Sequence, residues 1–262
     1  MQVQFAKPRA ARRPMRRPAL AASLALAGLV AIGAAPFAIS SATAADDGKG
    51  DRAMLLAQAS SSSDSTDAAK SDAKAPEADG KVDVEKLMAE QALPDVVIGD
   101  ADAPVTIVEY ASMTCSHCRE FHESSYPQIK KDYIDTGKAK LIIREFPFDP
   151  RALAAFMLAR CAGDDAKRTA MVDVLFDQQP QWAFSNQASA ELLKISRLAG
   201  MTEEQFKACL NDKELQKKVV AVQQAGEKDF GVNATPTFFI NGDKYAGALG
   251  AAQMGAVIDA HM

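Results

Sequence analysis

The sequence predicts an α/β domain in which a mixed sheet carries helices on both faces and is interrupted by an all-helical insertion. Three stretches carry that expectation. Val105–Tyr110 is an apolar, β-branched run that ends in a small polar turn and then in Cys115-Ser116-His117-Cys118, which reads as a buried strand feeding the start of a helix. Arg151 to about Asp229 holds no strand signal and instead repeats the i, i+3, i+4 apolar spacing of helices. Thr237–Ile240 is a further strand run followed by Asn241-Gly242, the strongest short hairpin signal.

Ahead of the domain, Met1 to Ala44 carries Lys7, Arg9, Arg12, Arg13, Arg16 and Arg17 and no acidic residue, then an Ala- and Leu-rich run from Ala19 to Ile39, then Ala42-Thr43-Ala44. A basic start, an apolar centre and a small-residue boundary are the parts of a secretory signal peptide, so residues 1–44 are expected to be cleaved after Ala44. The apolar run approaches spanning length, which keeps a membrane anchor as the other reading, but it is rich in Ala and Gly and broken by Pro36. The paired arginines also admit twin-arginine export, to which the surrounding residues are a poor match. Removing the leader takes away six basic residues and leaves 24 Lys and Arg against 34 Asp and Glu, a net charge of −10. That balance gives no electrostatic basis for binding nucleic acid or anionic lipid, and a soluble, exported monomer is expected. Residues 45–80 turn to Ser, Asp, Ala, Lys and Gly, with Ser60-Ser61-Ser62-Ser63, and cannot bury enough apolar area to offset chain entropy. They read as a disordered linker, and without a heptad pattern they offer no support for an oligomerisation stalk.

The first part of the domain, 81–150, begins near Val82. Val84, Leu87 and Met88 share one helix face before Pro94, and Val96–Ile98 is a short strand before the turn Gly99-Asp100-Ala101-Asp102. After the central strand a helix is expected from Cys115 to about Thr136, kinked by Pro127 and ended by Gly137. Lys140–Phe146 is another strand, closed by Pro147 and Pro150. The insertion, 151–229, should hold four or five helices, one started by a capping box at Thr202. The last part, 230–262, holds the hairpin, with Lys244–Ala246 as the returning strand, and a final helix from Gly250.

The Cys-x-x-Cys spacing points to thiol chemistry. Two cysteines one helical turn apart can close a disulfide, and the first, Cys115, faces the unpaired N–H groups at the helix start, which favour a thiolate. Cys115 is the expected nucleophile and Cys118, further inside the helix, the resolving thiol. His117, between them, is expected to favour the charged sulfur further. The same spacing also forms half of many zinc sites, but no second ligand pair follows: Cys161 and Cys209 lie 48 positions apart, and the other histidines are His122 and His261. No metal and no cofactor are expected, and a purely structural disulfide is the remaining bland reading.

The element order, the Cys115-Ser116-His117-Cys118 motif and Val232-Asn233-Ala234-Thr235-Pro236-Thr237-Phe238-Phe239 together resemble the thioredoxin fold carrying a helical insertion, as in the DsbA-like periplasmic thiol–disulfide oxidoreductases. The resemblance spans roughly Pro94 to Met262. It implies a cis Thr235–Pro236 bond facing the dithiol, with Thr235 and Pro236 pairing with substrate backbone. It also implies that Glu109 is a buried carboxylate assisting proton transfer at the resolving thiol, an outward strand carboxylate being the other reading. It admits a structural disulfide between Cys161 and Cys209, against two separate buried cysteines. The function so implied is donation of the Cys115–Cys118 disulfide to folding exported proteins in the periplasm, with reoxidation by a DsbB-like membrane partner. Ser116, where the best-known oxidases have proline, and Thr235, similar to the choice in isomerases, leave an isomerase or reductase kept in the dithiol form as the alternative. A binding or chaperone module with a structural CxxC is the more remote one.

Overall fold

The structure, a computed structural model, describes residues 73–262; the expected leader and residues 45–72 of the expected linker lie outside the described residues. In chain order the elements are β1 (Gly80–Lys81), α1 (Val84–Leu87), β2 (Val97–Ile98), β3 (Val105–Ala111), α2 (Ser116–Glu120), α3 (Tyr126–Ile129), β4 (Ala139–Glu145), α4 (Pro150–Arg160), α5 (Asp165–Asp177), α6 (Gln179–Trp182), α7 (Ala188–Leu198), α8 (Glu203–Asn211), α9 (Lys213–Phe230), β5 (Thr237–Ile240), β6 (Asp243–Ala246) and α10 (Ala251–Ala260). The strands form one mixed sheet in the order β1-β6-β5-β3-β4-β2, with only β3 and β4 parallel.

β3 lies inside the sheet, between β5 and β4, and its residues are buried apart from the half-buried Thr106. Side chains alternate across a strand. Glu109 and its cross-strand partner Phe238 therefore share one face, where Phe238 meets Phe121 of the helical run after the CxxC motif. Tyr110 and Phe239 share the other, against Phe230 of α9. There α9 comes so close that a Cβ on Gly226 would stand 2.6 Å from the Tyr110 ring, which is why glycine occupies that helical position. Arg144 of β4 donates to the Tyr110 hydroxyl (3.0 Å), the Leu87 carbonyl (2.7 Å) and the Asp95 carboxylate (2.7 Å), tying the sheet to the segment before it.

The hairpin follows its Asn-Gly signal: Asn241 (φ 46°) and Gly242 (φ 93°) both take the left-handed region that a two-residue turn between twisted strands requires. In the helical block, Asp149, Asp164 and Asp212 accept backbone N–H groups at the starts of α4, α5 and α9, and Thr202 and Gln205 form the reciprocal capping box of α8. A disulfide joins Cys161, at the end of α4, to Cys209 in α8 across 48 positions. In the chain-entropy model a loop of that size stabilises the fold by about 4 kcal/mol.

Several expectations need correction. The helical run after the CxxC motif begins at Ser116 and is not a single kinked α-helix to Thr136: two five-residue π turns, Phe121–Ser125 and Lys130–Ile134, flank α3. Pro127 has no N–H for the α-helical bond, and such wider turns absorb the misfit. The face of Val84, Leu87 and Met88 is not a buried one, since a single turn at the sheet edge covers only Leu87 and leaves Val84 44% and Met88 38% exposed. The insertion has six helices, the additional one being the single turn α6. β1, too short to show a period, adds a strand on the β6 edge and takes into the fold Asp79 and Gly80, which the expected 45–80 linker includes, with the Asp79 N–H donating to the Lys244 carbonyl (2.8 Å).

Candidate active site

β3 ends at Ala111 and the chain turns through Ser112-Met113-Thr114 into Cys115, whose N–H donates to the Ser112 carbonyl (3.0 Å). Cys115 is the N-cap of α2 (φ −78°, ψ 121°), so its sulfur stands at the open end of the helix, half-buried, while Cys118 one turn inside is wholly buried. Both thiols are reduced in the structure. Across from them the Thr235–Pro236 bond is cis, and the Thr235 carbonyl accepts from the Cys115 thiol at 3.2 Å.

The two sulfurs are driven in opposite directions. The Cys115 pKa falls from 9.0 to about 5, first because the Cys118 thiol donates to its sulfur, against the opposing effect of burial; the Thr235 hydroxyl and the backbone N–H groups of Cys118 and His117 add to the fall. The Thr235 hydroxyl, buried with no other partner, finds one when that sulfur is a thiolate. Cys118 is pushed far above the ordinary thiol range by burial, then by its own hydrogen bond to Cys115 and by the nearby Glu109 charge. One sulfur is therefore charged at neutral pH and the other is not.

His117 takes a different part from the one expected. Its ring is exposed and turns away to Glu120 (3.7 Å), so its contribution to the thiolate is the backbone N–H that any residue there would supply. Glu109 lies fully buried on the sheet face beneath the helical run, where Oε2 stands 2.9 Å from Nε2 of His122. The structure thus brings Cys115, Cys118, Glu109, Thr235 and Pro236 to one site and leaves the His117 ring at its rim. Cys161 and Cys209 form their disulfide elsewhere, in the helical block.

Two supports of the site have no local sequence signal. Gln179, on α6, is buried and donates through Nε2 to the carbonyls of Met113 (2.8 Å) and Cys115 (3.0 Å), fastening the CxxC loop to the helical block. Thr114 donates to Asp149, the N-cap of α4. Gln179→Leu leaves two carbonyls without that donor and should destabilise the protein by roughly 1–3 kcal/mol in urea melts. An unchanged midpoint would show that the clamp has no energetic weight. His122 did leave a trace: Cys118, Phe121, His122 and Ser125 have the i, i+3, i+4, i+7 spacing of a buried face, with a histidine set in it.

A family model described as thioredoxin matches residues 91–260. That span covers most of the chain. The chain belongs to the thioredoxin family. Among solved structures it is similar to alpha-DsbA1 of Wolbachia pipientis, at 34% identity and a TM-score of 0.63 over 68% of this chain and 95% of that one, which places it with the DsbA-like members. A putative protein-disulfide oxidoreductase of Rickettsia conorii is 38% identical over 148 residues, covering 56% of this chain and 53% of that protein. A probable disulfide bond formation protein D of Bacillus anthracis is 30% identical over 151 residues, 56% of this chain and 69% of that one. The chain thus spans about half the length of the rickettsial relative.

Proposed function

We propose that this DsbA-like protein is a dithiol oxidase that passes a Cys115–Cys118 disulfide to other proteins. The asymmetry of the two thiols supports this reading: a Cys115 pKa of about 5 makes that sulfur a good leaving group. A substrate thiolate attacks the Cys115 sulfur, the Cys115–Cys118 bond breaks, and Cys118 leaves and takes up a proton. A second substrate thiolate then attacks the substrate sulfur of the mixed disulfide, forming the substrate's disulfide and releasing Cys115 as a stable thiolate. The Thr235 carbonyl, 3.2 Å from the Cys115 sulfur, lies where an extended substrate backbone would pair.

Residues 1–44 as a cleaved leader and the stretch from 45 to the first strand as a linker fit delivery to the periplasm, where unfolded exported proteins are the substrates and a DsbB-like membrane protein restores the disulfide. Among the described residues no helix is long and apolar enough to cross a membrane. Exposed Phe184, beside Thr114 and Arg151 in a shallow pocket at the CxxC loop, offers an apolar contact for such partners.

The deciding measurement is equilibration of the Cys115–Cys118 pair with glutathione. An oxidase should stay reduced at glutathione ratios that leave ordinary protein disulfides intact, and should oxidise a reduced peptide stoichiometrically. A pair as hard to reduce as that of a reductase, together with recovery of scrambled ribonuclease activity, would favour the isomerase or reductase reading, in keeping with Thr235 before Pro236. A native protein that transfers no disulfide, with binding of unfolded chains unchanged in Cys115→Ser, would leave only a binding module with a structural CxxC.

A further inference from the structure

The oxidase reading leaves one problem open: Cys118 must gain or lose a proton at every turnover, yet it is wholly buried. A route to solvent begins beside it. His122 lies one helical turn further on, on the same buried face, and its Nε2 stands 2.9 Å from Oε2 of Glu109. The opposite ring nitrogen, Nδ1, is buried with no protein partner, as is Oε1 of Glu109. The imidazole stacks on Phe176 of α5, with ring centres 4.2 Å apart and planes 14° from parallel, which fixes its orientation. His122 is also among the residues that line an open pocket of about 490 Å³ between α5 and the helical run. The charged and titratable groups facing His122 are Glu109 from β3, Glu123, Tyr126 and Lys130 from its own run, and Asp173 and Asp177 from α5.

We propose that His122 is the outward leg of a proton path for Cys118, carrying protons between the Glu109 carboxylate and water in the pocket lined by Tyr126 and Asp173. When the Cys115–Cys118 bond is broken by a substrate thiolate, the electron pair of that bond leaves on Cys118. His122, protonated at Nδ1 from pocket water, gives its Nε2 proton to the Glu109 carboxylate, which passes it on to the Cys118 sulfur. The products are a Cys118 thiol and a neutral imidazole with its proton on Nδ1. In the reverse direction each transfer runs backwards before the Cys118 thiolate attacks. Imidazole suits this role because its two nitrogens exchange roles as donor and acceptor. Glu109 lies near enough to Cys118 for its charge to push that thiol upward, and His122 shares its pocket wall with Asp173. The proposal rests on the oxidase reading for its direction only.

The test follows the reaction of the oxidised full chain with reduced glutathione by acid quench and mass spectrometry, across pH. His122→Gln, which keeps a donor toward Glu109 but cannot pass a proton, should slow formation and resolution of the mixed disulfide on the order of 100-fold. Its Cys115 alkylation profile and circular dichroism should match the native protein. In His122→Ala, free imidazole admitted by the pocket should restore the rate in proportion to its concentration. Adding His122→Gln to Glu109→Gln should cost no further rate, because both groups serve one path. Native rates in His122→Gln would overturn the proposal, and so would a loss that imidazole does not repair and that multiplies in the double variant. A native protein that reacts with glutathione yet transfers no disulfide to a reduced peptide would sink the oxidase reading alone.

Discussion

At pH 7 the protein with Cys115 and Cys118 reduced should melt a few degrees above the protein with them joined, the Cys161–Cys209 disulfide being left intact in both. The reason is the Cys115 thiolate, whose folded pKa is lowered from 9.0 to about 5. A depressed pKa contributes stability that is complete above the unfolded value and disappears as pH falls through the folded one. About two pH units above 5, roughly 2–3 kcal/mol of it is present. Opposing it, closing the four-residue CxxC loop constrains the unfolded oxidised chain and favours the oxidised form by roughly 2 kcal/mol. The thiolate therefore wins by about 1 kcal/mol at pH 7, worth a few degrees in a domain of this size. The gap should widen toward pH 9 and reverse at about pH 6, where the thiolate contribution drops below that of the loop. Differential scanning calorimetry of both forms at several pH values measures it. Because the His117 ring turns to Glu120, His117→Ala should leave the gap in place, whereas Thr235→Val should narrow it. An oxidised form that melts higher from neutral to alkaline pH would remove the basis of the oxidase reading.

Glu145→Leu should destabilise the protein by roughly 3–5 kcal/mol, about a third or more of the stability of an ordinary domain. Glu145, the last residue of β4, is wholly buried, and its Oε1 receives Arg160 of α4 (2.6 Å) and Arg168 of α5 (3.2 Å). Arg168 also donates to the Ile143 carbonyl (3.0 Å) and is itself almost fully buried. Removing the carboxylate leaves two guanidinium groups close together in a poorly solvated place, which costs far more than the intact arrangement contributes. Burial alone pushes the Glu145 carboxyl upward, but Arg160 and Arg168 together hold it below its ordinary value. Its contribution is accordingly present above the ordinary carboxyl value near pH 4.5 and is lost as pH falls through the folded one. Chemical denaturation at neutral pH gives the magnitude. A loss under about 1 kcal/mol would mean that the arginines find water or other partners, and the attachment of α4 and α5 to the sheet would need another explanation.

The parts of this molecule that were legible in the sequence are those whose signal is local. β3 is an apolar, β-branched run and β4 carries Leu141-Ile142-Ile143 at its centre, Asn241-Gly242 satisfies a turn that asks for two left-handed residues, and Thr202 with Gln205 caps a helix from three positions away. Cys-x-x-Cys is legible for the same reason, since its spacing is the chemistry. β1, two residues at a sheet edge, is too short for a period to show, whereas the equally short β2 stands out as Val96-Val97-Ile98 before the Gly99-Asp100 turn. The supports of the site come from afar: Gln179 reaches Cys115 across 64 positions, and Glu109 meets His122 across 13, from a strand to a helix. Tertiary packing alone decides such pairings. His117 illustrates the converse error, because adjacency along the chain suggested an electrostatic partner where the helix start aims the ring outward.

The chain contains a single tryptophan, Trp182, and it is wholly buried on α6, where its indole N–H donates to the Leu175 carbonyl (2.9 Å). Three residues before it on the same short helix, Gln179 grips the carbonyl of Cys115. A shift of the loop as the two sulfurs join or part would pass through this contact to the one fluorophore that can be excited selectively at the red edge of the absorption spectrum. The emission of this buried indole should therefore differ between the oxidised and reduced forms, which steady-state fluorescence of the two checks without any attached dye.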